Sequence, residues 1–187
     1  ILHAGTYKKL IGFRPWIYET SNEYVDGLAR LIRAVDKLGN AYLVIRFRPM
    51  AECSLGTLQQ LLPLSDCYEI KSDGAFLDDL AEADLLVSYA STTIEEALDA
   101  RRPVLLWGGS PRCRHLPAQT LPPTASARAA IYAADDDDAL DELLGPILAC
   151  HAGAPLSDTE LAGHVWPAGT AGVAGVADLI AESALSP

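Results

Sequence analysis

The sequence predicts an α/β domain built on a doubly wound parallel sheet. Short, nearly continuous apolar runs (Ile1 to Ala4, Ala41 to Phe47, Cys67 to Ile70, Asp84 to Ser88, Val104 to Trp107, Ala129 to Ala133) read as strands buried on both faces. Helical patterns alternate with most of them at a spacing that implies right-handed crossovers. The clearest unit is Ala83 to Trp107, ADLLVSYASTTIEEALDARRPVLLW, a strand, a helix and a strand in sequence.

In that unit Ser91, Thr92 and Thr93 can cap a helix with its body at Ile94 to Ala100, and Arg101 and Arg102 lie at its negative end. A helix starting just past a buried strand, with three hydroxyls and no acid in its first turn, suits a phosphate. Glu95 and Glu96 follow one turn later, where a carboxylate can accept from a ribose diol.

Taken in order, the first strand breaks at Gly5-Thr6, where glycine allows either a sharp turn or a close approach of the backbone to a ligand. Ser21 or Asn22 can cap a helix from Glu23 to Leu38, with Val25, Leu28, Leu31, Ile32 and Val35 on one face, ended by Gly39-Asn40. The second strand closes on Arg46, Arg48 and Pro49; because side chains alternate, one of the two arginines is expected to face a ligand, and the terminal Arg48 is favoured. Leu55 to Leu62 reads as a short helix. Lys71 to Gly74 forms a loop into a helix from Ala75 to Glu82.

Beyond Trp107 the chain is rich in Gly and Pro to Thr124. Asp135 to Asp138 then precede a helix, Ala139 to Cys150, and are read as a cap and solvated surface rather than a metal site. Helices are also expected near Ser157 to His164 and Val173 to Ser183.

Charge and cysteines narrow the function classes. The net charge is −11, with eight Lys/Arg against four Asp/Glu in residues 1–50 and −15 on the remainder. An acidic surface argues against nonspecific nucleic-acid or membrane binding, while a local basic cluster (Lys8, Lys9, Arg14, Arg46, Arg48) can serve a small anion. Cys53, Cys67, Cys113 and Cys150 lack the spacing of a zinc site or a disulfide framework, as expected of reduced thiols in a cytoplasmic protein. No GxGxxG follows the first strand and no GxSxG surrounds Ser91, which disfavours a redox dinucleotide enzyme and a serine hydrolase.

A Rossmann-like sheet of about six strands in the order 3-2-1-4-5-6 reverses direction between its first and fourth strands. That order brings Gly5-Thr6 opposite Ser91 to Thr93.

At this point the residues resemble a family. ADLLVSYASTTIEEALDARRPVLLW is similar to the donor-binding half of GT-B glycosyltransferases, ILHAGTYKK to its opening strand and turn, and VIRFRP to its second strand. The nearest likeness is to bacterial surface-polysaccharide and teichoic-acid-type transferases, over roughly residues 1–110. The resemblance implies that the chain, residues 1–187 with a core at 1–133 and C-terminal helices at 137–184, is one half of a GT-B fold. The other half, an N-terminal acceptor domain, is expected outside this chain, since it opens at Ile1 inside a strand. The fragment alone is expected to be inactive.

The same resemblance implies that Ser91, Thr92 and Thr93 bind a nucleotide diphosphate and Glu96 the ribose, with Ser72 to Phe76 beside the base. Gly5, Thr6 and Arg48 complete the expected nucleotide site. No tight metal or other cofactor is expected, nor a nucleic-acid partner, and no catalytic residue is assigned. Peripheral membrane association is expected only through the missing half. The FRP sequence stands where teichoic-acid-type relatives carry His before Pro, which puts a proton-transfer role there in doubt. A CDP-polyol phosphotransferase domain and a noncatalytic nucleotide-binding or docking module are the alternatives, with a nucleotide-sugar epimerase more distant.

Overall fold

A computed structural model describes residues 1–5, 7, 19–108 and 116–164. Its sheet is six-stranded and parallel throughout, comprising β1 (Leu2–Ala4), β2 (Leu43–Arg46), β3 (Tyr68–Lys71), β4 (Leu86–Ser88), β5 (Val104–Leu106) and β6 (Ile131–Ala133). The strand order is β3-β2-β1-β4-β5-β6, so the expected doubly wound, Rossmann-like topology holds, with its reversal between β1 and β4. The hydrogen-bonded strands are shorter than the apolar runs. Ala41, Leu85, Trp107 and Ala129 lie outside the ladders yet still pack in the core or against it.

Alternation of side chains across the sheet sorts the core into two layers. Leu43, Ile45, Val87, Leu105 and Tyr132 meet α1 (Ser21–Leu38) and α5 (Asp137–His151) on one face. Leu2, Leu86, Val104, Leu106 and Ile131 meet α3 (Phe76–Glu82), α4 (Thr93–Asp99) and α6 (Asp158–Leu161) on the other. The short α2 (Leu55–Leu61) enters the first layer through Leu58. The helix expected near Val173 to Ser183 lies outside the described residues.

The start of α1 corrects the sequence expectation, because Thr20 is the cap rather than Ser21 or Asn22. Its hydroxyl accepts from the Glu23 amide at 3.2 Å while the Glu23 carboxylate accepts from the Thr20 amide at 2.7 Å. Only a cap at Thr20 puts Glu three residues on, which this reciprocal arrangement requires. Thr20→Ala should cost about 1 kcal/mol in denaturant unfolding. An unchanged midpoint would show the cap to be dispensable. At the other end Gly39 takes φ +69°, the left-handed closure expected of Gly39-Asn40.

A polar network ties α5 and α6 to the sheet edge. His151 is buried with Nε2 2.9 Å from the Tyr132 hydroxyl and Nδ1 3.0 Å from the Arg128 guanidinium. Arginine can only donate, so Nδ1 must accept and Nε2 must carry the proton. Arg128 also pairs with Glu160 at 2.8 Å, and Glu160 forms a capping box with Ser157 at the start of α6. Burial, followed by the Arg128 charge, lowers the His151 pKa to about 4. Asp136, within the acidic run, caps α5 by accepting from the Ala139 amide at 2.8 Å.

Candidate functional site

At the strand-order reversal the segments leaving β1 and β4 diverge and open a crevice, the usual ligand position in such sheets. Gly5, just past β1, and Ser91, past β4, both line a small cavity there of about 30 Å³. His3, Glu19, Tyr24 and Ser88 share it. Two loops 86 residues apart in sequence therefore meet as the topology requires.

The glycine after β1 is explained by packing. A Cβ at Gly5 would fall 2.8 Å from His3 Nε2 and 2.9 Å from Tyr24 Cε2, closer than such atoms can approach. Across the crevice Gly108 takes φ +109°, and a Cβ there would lie 2.8 Å from Glu19 Oε1. The Ser88 hydroxyl donates to the Ala4 carbonyl at 2.8 Å and fixes the spacing of the two central strands. Trp107 belongs to the wall: its indole N–H donates to the Gly27 carbonyl at 2.9 Å and the Arg30 guanidinium lies over its ring.

The floor holds three side chains that the sequence reading did not single out. His3 points from β1 toward α1, its ring 6.0 Å from that of Tyr24, and the two are 5% and 2% exposed. Both His3 nitrogens and the Tyr24 hydroxyl lack hydrogen-bond partners among the described residues. The Val87 backbone on β4 faces the imidazole without meeting hydrogen-bond geometry. Burial lowers the His3 pKa to about 4, so the ring is neutral at pH 7. Burial, and secondarily the Glu19 charge, raises that of Tyr24. Glu19 is itself buried and brings a carboxylate to the floor.

The other expected residues lie further out. Thr92 occupies the cap position of α4 in helical conformation and makes no side-chain cap hydrogen bond, while Ser91 Oγ accepts from the Thr93 amide at 3.3 Å. Thr93 Oγ1 is buried and has no partner among the described residues. Thr92, the cap, is exposed, as are Glu95 and Glu96, so burial does not distinguish the two acids; both stand in the first turn of α4, not one turn later as the sequence suggested. Thr6 lies outside the described residues.

Arg46 and Arg48 divide as their alternation suggests. Arg46 bonds the Asp73 carbonyl, the Gly74 carbonyl at 2.8 Å and Asp79 at 2.9 Å, and so holds the loop after β3 in place. Arg48 is exposed and makes no ion pair among the described residues. Ser72 is exposed near that Arg46-bound loop, and Phe76 packs against the core at the start of α3. Neither these two nor Arg48 line the small cavity, since β2 and β3 stand to one side of β1.

No family model, curated protein or solved structure matches the chain. Among the described residues, no cluster of three or more His, Cys, Asp or Glu is placed to hold a metal ion, and no helix is long and apolar enough to cross a membrane. A larger cavity, about 560 Å³, lies near Ile1, Tyr42 and Asp84 at the amino ends of the strands. Its position is opposite to the one this topology uses for ligands.

Proposed function

We propose that the chain is the donor-binding half of a glycosyltransferase that takes its sugar from a nucleotide-diphosphate sugar in cell-surface polysaccharide synthesis. One observation carries the reading: Gly5 and Ser91 share a crevice at the strand-order reversal of a parallel sheet. The family resemblance of residues 83–107 supplies the chemistry. In this reading the diphosphate lies along the rim at Ser91, Thr92 and Thr93, and Glu96 takes the ribose. Arg48 and the Ser72 to Phe76 loop lie toward the base. Hydroxyls and helix amides at the rim stabilise the departing diphosphate, while a second α/β domain brings the acceptor. The cell compartment proposed is the cytoplasm, where nucleotide sugars are the donors.

Calorimetric titration with UDP, CDP, GDP and their sugar conjugates tests this directly. At least one series should bind, with magnesium making little difference. Thr92→Val should weaken diphosphate binding by the roughly 1.5–3 kcal/mol of a hydrogen bond to a charged group, and Thr93→Val, whose hydroxyl is buried in the ligand-free protein, adds to that loss where the ligand draws the side chain out. Because Thr93 Oγ1 is orphaned, its loss should not destabilise the ligand-free protein. Glu96→Gln should weaken nucleosides and nucleotides alike while sparing inorganic pyrophosphate; Glu95→Gln is the control. A flat panel at millimolar nucleotide, or equal effects at Glu95 and Glu96, would count against the assignment.

A further inference from the structure

The crevice floor contains an unusual set of groups for a protein interior. Two neighbouring side chains, each more than nine-tenths buried, present three polar atoms without partners among the described residues. An unmatched buried polar group costs about 1–3 kcal/mol, so the great majority find a partner. Here they line a cavity at the position where this topology binds ligands. Gly5 and Gly108 permit the arrangement, since a Cβ on the first would strike His3 and Tyr24, and on the second Glu19.

Size limits what can enter. About 30 Å³ admits one or two water-sized groups, which excludes a sugar ring or a whole phosphate from the floor but not a single substituent reaching down from above. Chemistry limits it further. A neutral imidazole offers one donor and one acceptor nitrogen, and the phenol can donate or accept. An alcohol both donates and accepts, so one hydroxyl can satisfy an imidazole nitrogen and the phenol together. A phosphate oxygen only accepts, so it can meet the imidazole N–H but never the acceptor nitrogen, whereas an alcohol can meet either.

We propose that the floor of the crevice is a hydroxyl subsite, in which His3 and Tyr24 hold one alcohol group of a bound sugar or polyol beside the Glu19 carboxylate. The identity of the molecule that brings the hydroxyl rests on the donor-binding reading above; the subsite itself rests on the orphaned atoms and the cavity. His3 and Tyr24 thereby select for the transferred sugar rather than for the nucleotide.

Two measurements test it. In the first, the ring resonances of His3 are followed by NMR while glycerol, glucose or inorganic pyrophosphate is titrated into the intact chain, the polyols to about 1 M so that even a very weak site fills. A saturable shift with a polyol and none with pyrophosphate is expected. In the second, calorimetry compares UDP, CDP and GDP with their sugar conjugates on the wild type and on Tyr24→Phe, which removes one hydroxyl and keeps the ring. The variant should bind the conjugate about three- to tenfold more weakly and the bare nucleotide unchanged.

A His3 ring that ignores the polyols, or that responds to pyrophosphate, overturns the subsite. So does an equal loss of nucleotide and conjugate binding in Tyr24→Phe. Failure of the wild type to bind any nucleotide would instead strike the donor-binding reading, leaving the polyol titration to decide the subsite alone.

Discussion

Acidification from pH 7 to pH 4 is expected to remove several kcal/mol of folding stability, with the steep part of the loss below about pH 6.5. His3 and His151 are both buried, and both have pKa values lowered from 6.5 to about 4, by burial at His3 and by burial with the Arg128 charge at His151. Between those values the unfolded chain binds protons that the folded chain refuses, so stability rises with pH across the window. Their contribution is fully present above pH 6.5, falls as pH drops toward 4, and then levels off. A depression of this size corresponds to roughly 3 kcal/mol for each ring. Glu160, whose pKa is lowered by hydrogen bonds from Ser157 and the Arg128 charge against the opposing effect of burial, adds a loss of the same sign at lower pH. Urea titrations at half-unit pH steps measure the curve. A stability that stays flat from pH 7 to 5 would mean that neither imidazole is held neutral by the fold.

The fold was legible because it is written in short-range patterns. Apolar runs of strand length, separated by amphipathic segments, name the elements, and the handedness of crossovers leaves few ways to order them. The cap at Thr20 carries its own signature, a Thr followed by Glu three residues later, and the expectation of Ser21 or Asn22 failed because it weighed the capping side chain without that partner acid. The rim of the cavity could be anticipated at Gly5 and Ser91, because each lies just beyond the end of a central strand. Its floor could not. His3 and Tyr24 meet only because β1 lies under the first turns of α1, and a separation of 21 residues has no periodic signature. Glu19 enters the cavity just ahead of the α1 cap, where a carboxylate in the sequence looks like surface. The division of labour between Arg46 and Arg48 depended on where Asp79 and the 73–74 carbonyls would fall, information carried by the packing of α3.

Arg128→Met is expected to destabilise the chain by about 3 kcal/mol and, at the same time, to raise the pKa of His151. Arg128 is the hub of the network at the sheet edge: its guanidinium meets His151 Nδ1 at 3.0 Å, the Ala154 carbonyl at 3.2 Å and Glu160 at 2.8 Å. Removing one member of a largely buried ion pair costs more than the pair contributed, because the remaining charge keeps its desolvation penalty. Glu160 is cushioned by Ser157, whose amide and hydroxyl donate to it at 2.7 and 2.6 Å, which keeps the expected loss at the low end of the range for broken buried pairs. Glu160→Gln in the Arg128→Met background should therefore cost less than Glu160→Gln alone, a coupling that a double-mutant cycle reads directly. The histidine supplies an independent signature. With the neighbouring cation gone and Glu160 still present, protonation at Nδ1 becomes easier, so the acid limb of the stability curve should move to higher pH. A destabilisation with no movement of the His151 titration in NMR would reduce Arg128 to a packing role and remove the charge coupling from α5 and α6.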